Sequence, residues 1–404
     1  MSKRPPLSRA EAARFILILG SLTAFAPLSI DMYLPAFPAL QAHFGVSAGQ
    51  IQATLAVFFA GLAAGQAVYG PIADRFGRRA PLLFGIAVYV AVSIVAARAP
   101  DIGSLTLARL FQALGGCAGM VISRAMVADL FDERDSAKIY SLLMLVMGMA
   151  PILAPLAGAY LLVAFGWGAI FWFLAAFGAL CLATVWFVLP ETLPPDRRSA
   201  GGLRHVLRVY KQLLLNRRFL AFAAIGAFSL AGLFAYITDS SFIFIELYGL
   251  SPEHYGMLFG VNALGLIAAA QVNVRLLRRF AVRRILTTAI LAYVVAAAVL
   301  TFLATSGLGG LIALMIPLFV AISSLGLVLG NAAAAAMAQA GDYRGTASAL
   351  IGVMQFTLSA AISGLAGMLQ NGTAVPMAGI ILGCGITALI ANRVAGPGTT
   401  GRES

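Results

Sequence analysis

The stretch Gly70-Pro71-Ile72-Ala73-Asp74-Arg75-Phe76-Gly77-Arg78-Arg79 decides how this chain is read. It sets one acid and three arginines between two apolar runs, at about 50–72 and 81–98. Each run is close to the roughly 20 residues that a helix needs to cross a bilayer. A short, glycine-bounded charged turn between two such helices lies on one membrane face, where its acid and bases can lock the helix ends together. Orientation by positive charge alone would account for the arginines, but gives no reason for Asp74 or the glycines. Asp129, just beyond a later run, is a candidate partner for Arg78 or Arg75.

Working outward, apolar runs recur at about 15–38, 102–123, 139–163 and 167–189. After a polar stretch they continue at about 219–240, 255–274, 285–305, 308–331, 345–369 and 373–392. The spacing therefore predicts an all-α membrane protein of twelve spans. Composition agrees: of 404 residues 61% are hydrophobic and 10% charged, with a mean hydropathy of +0.94. Soluble domains carry about 45–50% apolar and about 25% charged residues, so a soluble enzyme, a disordered chain and a disulfide scaffold are excluded. Long continuous runs also exclude a membrane barrel, whose strands are short and alternate. Cys117, Cys181 and Cys384 are far apart in apolar surroundings and read as packing residues. The first run follows Lys3, Arg4, Arg9 and Arg14, as a signal peptide would, but it is too long for one and is read as a retained span.

Sorting charges by side puts 25 of the 27 Lys and Arg on the face of the N-terminus, leaving only Arg98 opposite and Arg109 within a span. Positive loops stay in the cytoplasm, so both termini are expected there. The net charge of +12 is a topology signal and not a nucleic-acid footprint.

An offset of 204 residues superimposes Phe44-Gly45-Val46-Ser47 on Tyr248-Gly249-Leu250-Ser251. Without a gap it also places Arg75-Phe76 on Arg279-Phe280 and Arg79 on Arg283. Two parallel six-span halves are expected, over 1–189 and 219–404, joined by a cytoplasmic linker at 190–218. Transporters with such repeats place their site at the interface between the halves.

Ionisable residues inside a span are costly and usually functional. Asp31 and Arg109 are the clear cases, each about seven residues from the outer end of its span, or roughly 10 Å deep. Equal depth permits an ion pair. Burial penalises the charged carboxylate and a guanidinium offsets that penalty, so Asp31 is poised to exchange a proton, whereas Arg109 does not titrate usefully. A static pair holding spans one and four together is the structural alternative. Pro27 and Pro35 flank Asp31 and free carbonyls around it. Span five carries Pro151 and Pro155 beside Gly148 and Gly158. The G-x-x-x-G pairs, such as Gly61/Gly65 and Gly326/Gly330, read as packing surfaces within one chain, consistent with a monomer. No nucleotide loop, metal motif or catalytic set is present. The chain is thus expected to be no enzyme and to need no cofactor, an ion or solute gradient supplying the energy.

The Gly70–Arg79 stretch resembles the loop motif of the major facilitator superfamily. Arg109-Leu110-Phe111-Gln112 and the segment from Ala154-Pro155 to Gly158-Ala159 are similar to its fourth-span and fifth-span antiporter motifs. Pro27-Leu28-Ser29-Ile30-Asp31-Met32-Tyr33-Leu34-Pro35 resembles the first span of bicyclomycin-resistance-type drug:proton antiporters. Leu189-Pro190-Glu191-Thr192-Leu193-Pro194-Pro195 and Gly345-Thr346-Ala347-Ser348 look similar to the same branch. The resemblance implies the two-half facilitator fold in a bacterial inner membrane, and proton-coupled export of bicyclomycin-, phenicol- or sulfonamide-like molecules. It implies Asp31 as the titrating acid, Arg109 as coupling base, Asp74, Arg78 and Asp129 with Arg75 as the inner latch, and Pro155 as pivot. Asp31, Tyr33, Arg109 and Gln112 are expected to line the substrate cavity, faced by Tyr236 and Asp239. Ala154 and Ala159 depart from the glycines usual in the fifth-span motif, and Arg278 stands where Asp74 would repeat. Export of a native sugar or amino-acid derivative, with drug transport incidental, is the main alternative. Proton-coupled uptake, or a receptor or channel, fits the motifs less well.

Overall fold

The computed structural model describes residues 9–131, 133–195, 198, 203–341 and 343–396, and among these no strand is formed. Eleven helices are long and apolar enough to cross a membrane, and a bent pair makes a twelfth. That pair is span one, built from α1 (Arg9–Thr23), α2 (Phe25–Asp31), a 3-10 turn over Leu34–Ala36 and α3 (Phe37–Phe44). The first half continues with α4 (Ala48–Phe76), α5 (Arg79–Ala96), α6 (Ile102–Leu130), α7 (Glu133–Phe165) and α8 (Gly168–Val188). After α9 (Leu203–Leu215) come the six spans of the second half. They are α10 (Arg217–Ser241), α11 (Pro252–Leu276), α12 (Val282–Ser306), α13 (Gly310–Met337), α14 (Arg344–Leu369) and α15 (Val375–Val394).

Span one, expected over about 15–38, is a broken helix. It bends by 41° between Thr23 and Phe25. Pro27 has no N–H to donate to the Thr23 carbonyl, and Pro35 likewise leaves Asp31 without a donor to its carbonyl. Between them the turn tightens, Tyr33 N–H donating to Ile30 O at 3.3 Å. The Ser29 carbonyl is thereby released from the helix ladder. The linker differs too, for α9 buries Val209 and Leu213 against Phe219, Ala336 and Ala347. Its apolar positions four apart mark one helix face, in a stretch too short to span a bilayer.

Helix starts are written locally. Ser47 caps α4 in a reciprocal capping box with Gln50, and Ser251 accepts from His254 N–H at the start of α11. Ser47 and Ser251 are the residues that the 204-residue offset superimposes, so the repeat is preserved in cap chemistry as well as in letters.

The halves meet along two seams, α4 against α14 and α7 against α11. On α7, Gly148, Ile152 and Leu156 follow one helical face and meet Ile267, Gly260 and Gly256 of α11. Gly158 turns toward span one, where an added Cβ would collide with the Met32 carbonyl. Gly158→Leu should therefore force α7 away from the Asp31 segment, at about 1–3 kcal/mol of overpacking. Thermal unfolding in detergent should show the loss, together with failed transport. Gly379→Leu, at an exposed position with open space beside it, should unfold like the parent.

Candidate functional site

A cavity of about 240 Å³ lies between the halves. Pro27, Ile30 and Asp31 contribute from α2, Met120 from α6, and Met147 and Pro151 from α7. Across from them stand Phe234 and Tyr236 of α10, Phe259 and Asn262 of α11, and Phe356 of α14. Among the described residues the wall is apolar except at Asp31, Tyr236 and Asn262. Asp31 is only 4% exposed, and among the described residues no hydrogen bond or ion pair reaches its carboxylate. Tyr236 lines the same cavity. Asn262 Nδ2 donates to the Tyr236 hydroxyl at 3.0 Å, leaving the buried Asn262 Oδ1 without a donor. Polar side chains in span eight were visible in the sequence as Asn262 and Asn273. Only the fold shows that Asn262 faces Asp31.

Arg109 is fully buried but does not reach Asp31. Its Nη2 donates to the Ser29 carbonyl at 2.9 Å and its Nη1 to Gln112 Oε1 at 2.5 Å. The guanidinium carbon lies 4.5 Å and 4.1 Å from the ring centroids of Tyr33 and Phe58, with Phe171 at 5.9 Å. Residues 29 and 31 are two apart on a helix, hence about 200° apart around its axis. Ser29 consequently faces α5 and α6, its hydroxyl 2.7 Å from that of Tyr89, while Asp31 faces the cavity. Equal depth was correct arithmetic, but azimuth separates the two charges. The cation is held instead by released carbonyl, amide and ring faces.

Of the six residues expected around the substrate, the structure places Asp31 and Tyr236 on the cavity wall. Tyr33 bonds Thr54 at 2.9 Å beside the Arg109 cage, and Gln112 Nε2 donates to Ser93 at 2.8 Å. Asp239 lies elsewhere, accepting from Gln52 Nε2 at 2.6 Å across the seam between α10 and α4. Close by, Gly49 and Gly367 touch backbone to backbone, and Phe37 meets Phe242 with centroids 5.8 Å apart. The halves are thus closed at this face.

The opposite face, which carries the loop after α4, holds the charged cluster. Arg78 Nη1 bonds Asp74 at 2.5 Å and its Nε bonds Asp129 at 3.0 Å. Thr192 also donates to Asp129, at 3.0 Å. Glu191 completes the group, accepting from the main-chain N–H of Arg78 at 2.9 Å and of Arg79 at 3.2 Å. Burial alone would raise the Glu191 carboxyl, yet N–H donors from Leu193, Arg78, Arg79 and Thr192 hold it below the usual carboxylate range. Depression in the folded state means that its contribution is present at neutral pH and is lost only as pH falls through that lowered value. The string Leu189–Pro195 held Glu191 in plain view, but no pattern assigned it a role as the helix cap. Arg75 lies over the Phe76 ring at 5.4 Å and joins no ion pair among the described residues. Pro155 lies inside α7, next to Leu156, which meets Gly256 of α11.

Asp74 is half exposed and Asp129 mostly buried. Asp129→Asn should therefore cost more than Asp74→Asn, for which an exposed pair is worth about 0–1 kcal/mol. Thermal unfolding of the two variants side by side checks the order.

A two-half bundle of this kind, enclosing an apolar cavity with one bare carboxylate, defines a multi-pass membrane carrier of small molecules rather than an enzyme. A model of the Major Facilitator Superfamily matches residues 19–364, and the chain belongs to that family. It is 35% identical to the uncharacterized MFS-type transporter YdgK of Bacillus subtilis over 382 residues, 94% of each chain. It is 32% identical to a bicyclomycin resistance protein homolog of Haemophilus influenzae, covering 93% of this chain and 94% of that one. The multidrug resistance protein MdtL of Escherichia fergusonii is 28% identical over 96% of both. Among solved structures, the Escherichia coli xylose transporter XylE, partially occluded and inward open, superimposes with a TM-score of 0.75 at 13% identity. That match covers 98% of this chain and all of that one.

Proposed function

We propose that this transporter exports compact, largely apolar drug-like molecules from a bacterial cytoplasm across the inner membrane in exchange for protons. Asp31 carries the proton, and the cavity between the halves takes the cargo. The observation that carries the reading is the unpartnered Asp31 carboxylate on an otherwise apolar wall. An ion without a counter-ion in such a place costs several kcal/mol, and either a proton or a polar cargo group removes that cost. Mutual exclusion of the two at one carboxylate is what exchange requires. Asn262 and Tyr236 offer one hydrogen-bonding pair for orientation, and Met120 and Met147 supply adaptable apolar surface. Relatives named for bicyclomycin and multidrug resistance support this cargo class. With the positive-rich face in the cytoplasm, the packed Gly49–Gly367 face is external. Purified protein in proteoliposomes with an internal pH dye provides the test. Adding a drug that the gene protects against should move protons opposite to the drug. Proton movement with the drug, or none, would refute exchange.

A further inference from the structure

The 204-residue repeat pairs Arg78 with Val282, Arg79 with Arg283 and Glu191 with Ala395. The arginines keep their role: Arg79 Nη2 donates to Trp186 O at the end of α8, and Arg283 Nη2 to Asn392 O near the end of α15. The carboxylate does not. In the first half Glu191 accepts both N–H groups that open α5. In the second half Ala395 cannot, and the N-cap of α12, Ala281, offers no side-chain acceptor. A cavity of about 400 Å³ lies at that spot, lined by Val282, Arg283 and Ala395, with Arg218 and Phe222 opposite. Arg283 Nη1 is buried there without a hydrogen-bond partner, its guanidinium lying over the Phe222 ring at 5.6 Å, and among the described residues no acidic side chain lines the cavity. Two guanidinium groups beside an uncapped helix start are a setting for a phosphate oxygen.

We propose that this cavity binds a phosphate group from outside the chain, in the place that Glu191 fills in the first half. The group is either the headgroup of an anionic lipid or free phosphate. Apolar Phe222 and Leu286 on the wall suit a lipid. The full chain, purified in detergent or placed in nanodiscs, should unfold at a higher temperature with phosphatidylglycerol than with phosphatidylcholine if the source is lipid. It should do so with inorganic phosphate against chloride at equal ionic strength if the source is solute. Arg218→Gln should abolish the response. Ala395→Glu restores the internal carboxylate, so it should raise the unfolding temperature unaided and also abolish the response. Ala395→Gln fills the same space without charge and should not stabilise. Failure of both probes, a response that survives either Arg218→Gln or Ala395→Glu in folded protein, or equal stabilisation by Ala395→Gln would overturn the site.

Discussion

Asp31→Asn should bind drug within a few-fold of the parent and yet lose pH-driven export in proteoliposomes. The expected fall is about two orders of magnitude or more, the scale on which removal of a proton-transfer group is felt. Asparagine matches the carboxyl in shape and still hydrogen-bonds, so the cavity with Tyr236 and Asn262 keeps its form. What disappears is the group that must be either protonated or engaged with cargo. Equilibrium counterflow of labelled drug, which needs no net proton movement, should persist in the variant. Flux should also become flat with pH between about 6 and 8, because among the described residues no other acid lines this cavity. Uphill export by Asp31→Asn at the parent's rate would remove Asp31 from the mechanism, while leaving the fold and family untouched. Asp31→Glu keeps the chemistry but pushes a longer side chain into a small space, and partial activity is expected.

Much of this architecture was legible in the chain because a bilayer imposes a length and a polarity that letters record directly. The spans and the Asp74–Arg78–Asp129 cluster both follow from that constraint, since loop charges have few places to go. Pro27 and Pro35 marked freed carbonyls around Asp31, though not the bend in span one or the turn that releases the Ser29 carbonyl. Azimuth was illegible. Asp31 and Arg109 share a depth, but only packing against α5 and α10 turns residue 29 to one side and residue 31 to the other. Asp239 shows the same limit: it lies in the span expected to face the first half, yet its pairing with Gln52 needs both halves in place. Helix α9 was missed because an amphipathic segment rich in arginine looks like a solvated linker until its apolar face finds α10 and α14.

The separation of the two charges leads to a second strong expectation, at Arg109. Once Tyr33 N–H turns to Ile30 O, the Ser29 carbonyl has no donor from its own helix, and Arg109 Nη2 supplies one. Arg109 is therefore a positioning residue: it pins the tightened turn that aims Asp31 at the cavity. Arg109→Ala leaves the Ser29 carbonyl and Gln112 Oε1 without donors, at about 1–3 kcal/mol each, and empties the space between Phe58 and Tyr33. Unfolding at markedly lower temperature and loss of transport should follow. Arg109→Lys is the finer probe. Lysine keeps the positive charge but, as a single point on a flexible stem, cannot span both acceptors and the ring faces at once. If pinning is the role, the maximal export rate drops while the midpoint of its pH dependence stays where the parent has it. An electrostatic partner of Asp31 would behave otherwise, because a change in that coupling of about 1.4 kcal/mol moves the midpoint by one unit. In Arg109→Lys the charge remains yet shifts position, so a midpoint displaced by about a unit or more, at an undiminished maximal rate, would return Arg109 to the coupling role that the family resemblance implies.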